Sequence, residues 1–168
     1  GASEPEILAE GSSVFLWPEI LPGETHLLIT RANDSMSIAD TGSIELLNLR
    51  TLERETLIES AFNARYAQSG HIVFSRDAAI WAVPFDLANM EFAGSQIPVV
   101  LEVETEQRRG SAIYSFSEDG RMVYLRGNEI GGGDVGFPLA VINRNDQSVI
   151  KPDIELQLYG NLALSPRE

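Results

Sequence analysis

The sequence repeats one pattern three times: it reads Ile20-Leu21-Pro22-Gly23-Glu24-Thr25-His26-Leu27-Leu28-Ile29, then Tyr66-Ala67-Gln68-Ser69-Gly70-His71-Ile72-Val73-Phe74, then Phe116-Ser117-Glu118-Asp119-Gly120-Arg121-Met122-Val123-Tyr124. Each copy is an apolar strand end, a tight polar turn and a second apolar run. A fourth copy starts at Leu164 and reaches only its turn. The turn positions Glu24, Gly70, Gly120 and Glu168 are separated by 46, 50 and 48 residues. This period is typical of one four-stranded propeller blade, whereas helical repeats of similar length would need a 3.6-residue periodicity that the sequence lacks.

Four short strands are predicted within each period. They are rich in Val, Ile, Leu, Phe and Tyr and are bounded by Gly, Pro, Asn, Asp and Ser. The predicted strands are 14–20, 26–30, 43–49 and 55–58, then 63–67, 71–75, 79–85 and 97–101, then 112–117, 121–126, 139–143 and 148–151.

The fold class is therefore predicted to be all-β: a β-propeller of four-stranded antiparallel blades. Residues 1–168 are expected to form a single partial propeller with about three blades plus partial flanking strands. The expected divisions are a preceding strand at 6–9, blades at about 14–58, 62–101 and 111–151, and the start of a further blade at about 159–168.

Four short motifs in chain order resemble a known family. They are Trp17-Pro18-Glu19-Ile20-Leu21-Pro22, Asn63-Ala64-Arg65-Tyr66-Ala67, Ala82-Val83-Pro84-Phe85-Asp86 and Tyr159-Gly160-Asn161-Leu162-Ala163-Leu164-Ser165-Pro166. This series is similar to the TolB-like propeller repeats that follow many bacterial Ser/Thr protein kinases, over about residues 5–168. The first turn departs from the family, because it reads Pro22-Gly23-Glu24 where Pro-Asp-Gly is usual. The resemblance implies a propeller of six to eight blades, used for binding in an extracytoplasmic (periplasmic or cell-surface) setting, with no chemistry of its own.

Composition excludes several classes of function. The chain has 12 basic and 25 acidic residues and a net charge of −13, which argues against nucleic-acid binding and against direct contact with an anionic membrane. It contains no cysteine, so disulfides and thiolate metal sites are excluded. Hydrophobic residues make up 43% of the chain, enough for a packed core.

Motifs that would carry catalysis or bind a cofactor are weak. The stretch 131–136 satisfies G-x-G-x-x-G, but Phe137-Pro138 follows it where a dinucleotide site needs a helix to open. His26 and His71 occupy the same repeat position, which is Arg121 in the third copy, and this favours a solvated strand start over a catalytic base or a zinc ligand. We therefore predict no enzyme activity, no catalytic residue, no cofactor and no metal site. Asn33-Asp34-Ser35 and 143–146 could offer oxygen ligands to Ca²⁺, but turns explain them better.

Loop lengths indicate where a ligand would bind. Loops between the second and third strands of a blade share one face of a propeller with the connections between blades, and several here are long. Long loops on one face of a rigid scaffold are the usual place for binding. The candidate ligand- or partner-binding residues are Arg31, Asp34, Arg76, Asp77, Arg126 and Asp134.

The predicted function is a non-catalytic binding or interaction module, the sensory or scaffolding part of a larger receptor-like protein. The alternative is an accessory, gating propeller of a hydrolase or peptidase whose catalytic domain is not in this chain. A free-standing gene product is a third possibility. The ligand, a protein or a small molecule, is not identified by the sequence. Since three blades would leave two apolar sheet faces exposed, a homodimer that closes a six-bladed ring is expected.

Overall fold

The computed structural model describes residues 12–33, 41–106, 111–127, 138–143, 145–152 and 162. The described residues form fifteen strands: β1 Val14–Ile20, β2 His26–Ala32, β3 Ser43–Asn48, β4 Arg54–Glu59, β5 Phe62–Ala67, β6 His71–Arg76, β7 Ala79–Asp86, β8 Glu91–Phe92, β9 Ile97–Leu101, β10 Thr105–Glu106, β11 Ser111–Ala112, β12 Tyr114–Phe116, β13 Arg121–Leu125, β14 Leu139–Asn143 and β15 Val149–Ile150. The all-β prediction is confirmed for this part of the chain.

Three sheets follow one another along the sequence, and every strand pair in them is antiparallel. The first sheet has the order β1-β2-β3-β4, and the third has the order β12-β13-β14-β15. In the second sheet β5-β6-β7 is continued by both β8 and β9, which pair with different parts of β7. A short ribbon of β10 and β11 lies between the second and third sheets in sequence.

The predicted strands agree closely with those observed. Val14–Ile20, Ile97–Leu101 and Leu139–Asn143 have the predicted bounds. The predicted strand 112–117 is instead divided into β11 and β12, because β11 pairs with β10 and only β12 pairs with β13. The short strands β8 and β10 were not predicted. The predicted flanking strands at 6–9 and 159–168 lie outside the described residues, apart from Leu162.

Two apolar clusters join the sheets in series. The first cluster packs Leu28, Ile44 and Leu46 of the first sheet against Ile72 and Phe74 of the second. Because side chains alternate between the faces of a strand, the intervening residues of the second sheet point the other way. They form the second cluster with the third sheet, where Val73, Ile80 and Ala82 meet Met122 and Tyr124. The second sheet is thus buried on both faces.

Central residues of the two outer sheet faces are also buried within the single chain. On the first sheet the face that points away from the second carries Leu27, Ile29 and Leu47, which are 8%, 4% and 1% exposed. On the third sheet Val123 and Leu125 occupy the corresponding outward face at 4% and 1%. The exposed apolar patch that motivated the homodimer is therefore not found at these positions, and the dimer stays a prediction.

A bulge recurs in the first strand of the first and second sheets. In β1 the register shifts between Leu16 and Glu19, with Trp17 at a φ of 47°. In β5 it shifts between Phe62 and Arg65, with Asn63 at a φ of 51°. Trp17 and Asn63 lie 46 residues apart, as do the turn positions that follow them. Residues other than glycine rarely adopt this left-handed conformation on their own. Its recurrence at equivalent positions therefore indicates that the surrounding sheet structure imposes it.

Candidate functional site

The arginines predicted as ligand-binding residues occupy equivalent positions in the three sheets. Arg31, Arg76 and Arg126 each follow the first residue of β2, β6 or β13 by five positions. They therefore recur at one end of the second strands, as the loop argument required. Arg31 and Arg76 lie in β2 and β6, and Arg126 directly follows β13, so the equivalence is a structural property of the repeat.

The side chains of two of these arginines are held by neighbours within the chain. Arg31 donates from Nε to the Ser13 hydroxyl at 3.1 Å, and its Nη1 lies 3.6 Å from the Glu45 carboxylate. Arg76 donates to Gln96 Oε1 at 2.9 Å, and its guanidinium stacks over the Trp81 ring at 4.3 Å. These contacts stabilise the sheets and leave the two guanidinium groups less available to a ligand.

The remaining predicted site residues form no described ligand cradle. Asp77 and Ala78, with φ values of 52° and 53°, make the tight turn that joins β6 to β7. Asp77 is exposed and forms no ion pair with the described residues. The Arg126 amide donates to the Pro138 carbonyl at 3.1 Å. Asp34 and Asp134 lie outside the described residues, as do the glycine-rich stretch 131–136 and Ser35 of the possible Ca²⁺ loops.

A groove that the sequence did not reveal lies at the opposite end of the sheets. It opens between the ends of β1 and β5, where each strand enters its hairpin turn, and it has a volume of about 500 Å³. Its lining consists of Glu19, Ile20, Leu21, Pro22, Gly23, Glu24, Arg65, Tyr66 and Gln68. This volume is in the range of small-ligand sites, roughly 300–1,000 Å³.

The floor of the groove is an ion pair that joins the sheets. Arg65 on β5 donates from Nε to Glu19 Oε2 on β1 at 3.2 Å, and the Tyr66 amide donates to Glu19 Oε1 at 2.6 Å. The Arg65 guanidinium also lies 4.9 Å from the ring centre of Phe116 on β12. One side chain therefore connects the first strands of all three sheets. Each carboxylate oxygen of Glu19 accepts a hydrogen bond, so the ion pair forms a fixed floor of the groove.

The rim of the groove is both apolar and acidic. Ile20, at the end of β1, is 58% exposed. Glu24 follows in the turn, where its amide donates to the Leu21 carbonyl at 3.0 Å. Neither the Glu24 carboxylate nor the Tyr66 hydroxyl has a partner among the described residues. These three residues, which carry an apolar side chain, a carboxylate and a hydroxyl, all line the same opening.

Glu24 has a left-handed backbone conformation that glycine adopts with less steric strain. Its φ is 54°, and the equivalent Gly70 and Gly120 have φ values of 80° and 85°. All three amides make the same turn bond, from Gly70 to the Ala67 carbonyl and from Gly120 to the Ser117 carbonyl. The first turn nevertheless has glutamate where the other two have glycine. This difference between Glu24 and the two glycines is visible in the aligned turn positions, but only the fold shows that Glu24 lines a groove.

The histidines are bound locally. Thr25 Oγ1 lies 3.0 Å from His26 Nδ1, and Asn48 Nδ2 lies 3.2 Å from His26 Nε2. His71 Nδ1 contacts Ser69, at 3.2 Å from its hydroxyl and 3.0 Å from its carbonyl. Neither ring is paired with a carboxylate among the described residues, so no nucleophile–base–acid arrangement is formed there. Among the described residues there is no group of three or more potential metal ligands. No described helix is long and apolar enough to cross a membrane.

Comparison with known proteins identifies a fold neighbour and no family. No family model matches the sequence, and no curated protein matches it. Among solved structures, the chain is similar to a Mycobacterium tuberculosis puromycin-hydrolyzing peptidase, with a TM-score of 0.67 and 16% sequence identity. The similarity covers 91% of this chain and 24% of that chain, so this chain spans about a quarter of its length. At this identity the likeness concerns the fold alone.

Proposed function

We propose that this chain is an arc of a β-propeller that serves as a non-catalytic binding module of a larger protein, with the groove between β1 and β5 as its ligand site. The observation that carries the proposal is the construction of the groove. Its walls come from two successive sheets, its floor is a satisfied ion pair, and its rim keeps an exposed isoleucine and an unpaired carboxylate. An apolar surface with a few polar groups is typical of ligand-binding sites.

The propeller part of the proposal is supported by the repetition of whole sheets. The first and third periods form four-stranded antiparallel sheets and the second a five-stranded one, and successive sheets pack face to face through an apolar cluster. The first strands approach one another through Glu19, Arg65 and Phe116, as innermost strands of neighbouring blades would. Location outside the cytoplasm is part of the same proposal and rests on the family resemblance.

A second candidate is the accessory, gating part of a hydrolase, with the catalytic residues elsewhere in the protein. It is favoured by the fold likeness to a peptidase of which the similar region is only a quarter. The two candidates make different predictions for the complete gene. A kinase domain with a membrane-spanning segment upstream supports the receptor-like protein, and an α/β-hydrolase domain downstream supports the accessory one.

The binding role is tested by screening short peptides and small metabolites for a rise in melting temperature, because a ligand that binds the native state stabilises it. The screen is run on the wild-type chain, on Ile20→Ser and on the matched control Ile97→Ser, since Ile20 and Ile97 are 58% and 55% exposed. We expect compounds that stabilise the wild type and Ile97→Ser but not Ile20→Ser. The proposal fails if no compound shifts the melting temperature, or if every hit is kept by Ile20→Ser. Mass spectrometry of the hits should show them unchanged after incubation.

A further inference from the structure

We infer that the groove selects a cationic, partly apolar peptide segment, with its basic side chain bound by Glu24 and a neighbouring aliphatic side chain packed on Ile20. This inference rests on the proposed function and adds the chemical class of ligand.

The charges of the groove favour a cation. Two carboxylates and one guanidinium line it, those of Glu19, Glu24 and Arg65. Arg65 is neutralised by Glu19 at 3.2 Å and is further engaged with the Phe116 ring. The charge that remains for a ligand is the Glu24 carboxylate. A chain with a net charge of −13 also attracts cations over distance.

The backbone at Glu24 supports a role in binding. A glutamate at a φ of 54° is strained relative to glycine, and the two other copies of the turn have glycine at that position. The Glu24 side chain forms no hydrogen bond or ion pair with the described residues that would offset this strain. The backbone of the turn is closed by the hydrogen bond from the Glu24 amide to the Leu21 carbonyl at 3.0 Å, and Glu24 lines the groove. The strain is explained if the carboxylate binds a ligand.

The apolar half of the ligand follows from Ile20, Pro22 and Tyr66. Ile20 is exposed, and Pro22 is an exposed, rigid neighbour in the turn. Tyr66 is half-buried against the first apolar cluster and also lines the groove. An aliphatic side chain beside the basic one would cover this surface. A simple metal cation or an acidic segment would leave it in water.

The inference is tested by calorimetric titration of the chain with three blocked peptides, acetyl-Ala-Arg-Leu-Ala-amide and its citrulline and glutamate counterparts. Citrulline keeps the shape of arginine and removes its charge. We expect the arginine peptide to bind roughly five- to tenfold more tightly than the citrulline peptide, as for a partly exposed charge-assisted hydrogen bond. The affinity should fall as the salt concentration rises.

Variants at Glu24 provide the second arm. Glu24→Gln should weaken binding of the arginine peptide by a similar factor, and Glu55→Gln, at an exposed position of β4, should change its affinity less than about twofold. Glu24→Gly should also lose binding and yet raise the melting temperature, because it relieves the strain. A residue with a purely structural role would not show this opposite pair of effects.

Equal affinity for the arginine and citrulline peptides, or equal affinity of Glu24→Gln and Glu55→Gln, would overturn the inference. If the glutamate peptide binds the wild-type chain but not Ile20→Ser, the groove binds an acidic ligand. The inference of a cationic ligand would then be wrong, while the proposed binding function would survive. If none of the three peptides binds, the cationic class is wrong, and the melting-temperature screen then decides the proposed function separately.

Discussion

Thr30→Val is expected to weaken the contact between the first and second sheets. Thr30 is fully buried on β2, and its Oγ1 accepts the Asn63 amide of β5 at 3.0 Å. Valine has almost the same shape but offers no acceptor, so the Asn63 amide would lose its partner inside the protein. The backbone of Asn63 cannot readily move to find another acceptor. The Tyr114 hydroxyl of the third sheet donates to the Asn63 backbone carbonyl at 2.6 Å, and the Asn63 side-chain amide donates to the Ala112 carbonyl.

The magnitude follows from leaving the partly buried backbone amide of Asn63 without its acceptor. That loss costs about 1–3 kcal/mol of the free energy of unfolding, with the upper part of the range expected where the donor cannot relax. Urea denaturation followed by the fluorescence of Trp17 and Trp81 measures it. The matched control is Thr56→Val at an exposed position of β4, which should change the free energy by no more than about 0.5 kcal/mol. If Thr30→Val were as stable as Thr56→Val, the inter-sheet bond would contribute nothing and the argument would fail.

Three further predictions concern packing, titration and assembly. Gly127→Ala should lower the melting temperature, since its new Cβ would lie 3.1 Å from the Val103 carbonyl oxygen; an unchanged value would contradict this close approach. The pKa of Asp86 lies below its ordinary value because Asn89 and the amide of Ala88 donate to the carboxylate, so Asn89→Ala should raise that pKa in an NMR titration. The lowered pKa means that these bonds stabilise the fold above the ordinary carboxyl pKa and are lost as the pH falls through the lowered one; a pKa unaffected by Asn89→Ala would refute the cause. Light scattering after size-exclusion chromatography should give a two-chain mass if two arcs close a six-bladed ring, whereas a stable one-chain mass at micromolar concentration would disprove the dimer.

The strands were predictable because they depend on local pattern. Alternating apolar residues and a repeated turn place β1, β9 and β14 without knowledge of their neighbours. The bulges at Trp17 and Asn63 were not predicted, since a bulge is defined by its register with a partner strand. The same limit explains the division of the predicted strand 112–117, where β10 pairs with one part only.

The groove was not predictable, because it arises from contacts between distant parts of the chain. Glu19 bonds to the amide of Tyr66, which is 47 residues away. Loop length pointed to the other end of the sheets and to Arg31 and Arg76, whose side chains the structure shows in contact with Glu45 and Trp81. Arginine in a loop looks the same in sequence whether it binds a ligand or a neighbouring side chain. The glutamate at the glycine position of the first turn was the one local sign of the groove.

The proposed arrangement of the three sheets around a common axis, as in a propeller, is tested most directly by distances between spin labels. The chain has no cysteine, so cysteines introduced in pairs at His26, His71 and Arg121 can be labelled selectively. These residues begin β2, β6 and β13 and are partly exposed at equivalent positions. For successive blades of a propeller, the 26–71 and 71–121 distances should be similar, and the 26–121 distance should exceed each of them but be shorter than their sum. A 26–121 distance equal to that sum would indicate a straight stack of sheets, and one no longer than either would indicate a folded-back sandwich; both results would contradict the propeller arc.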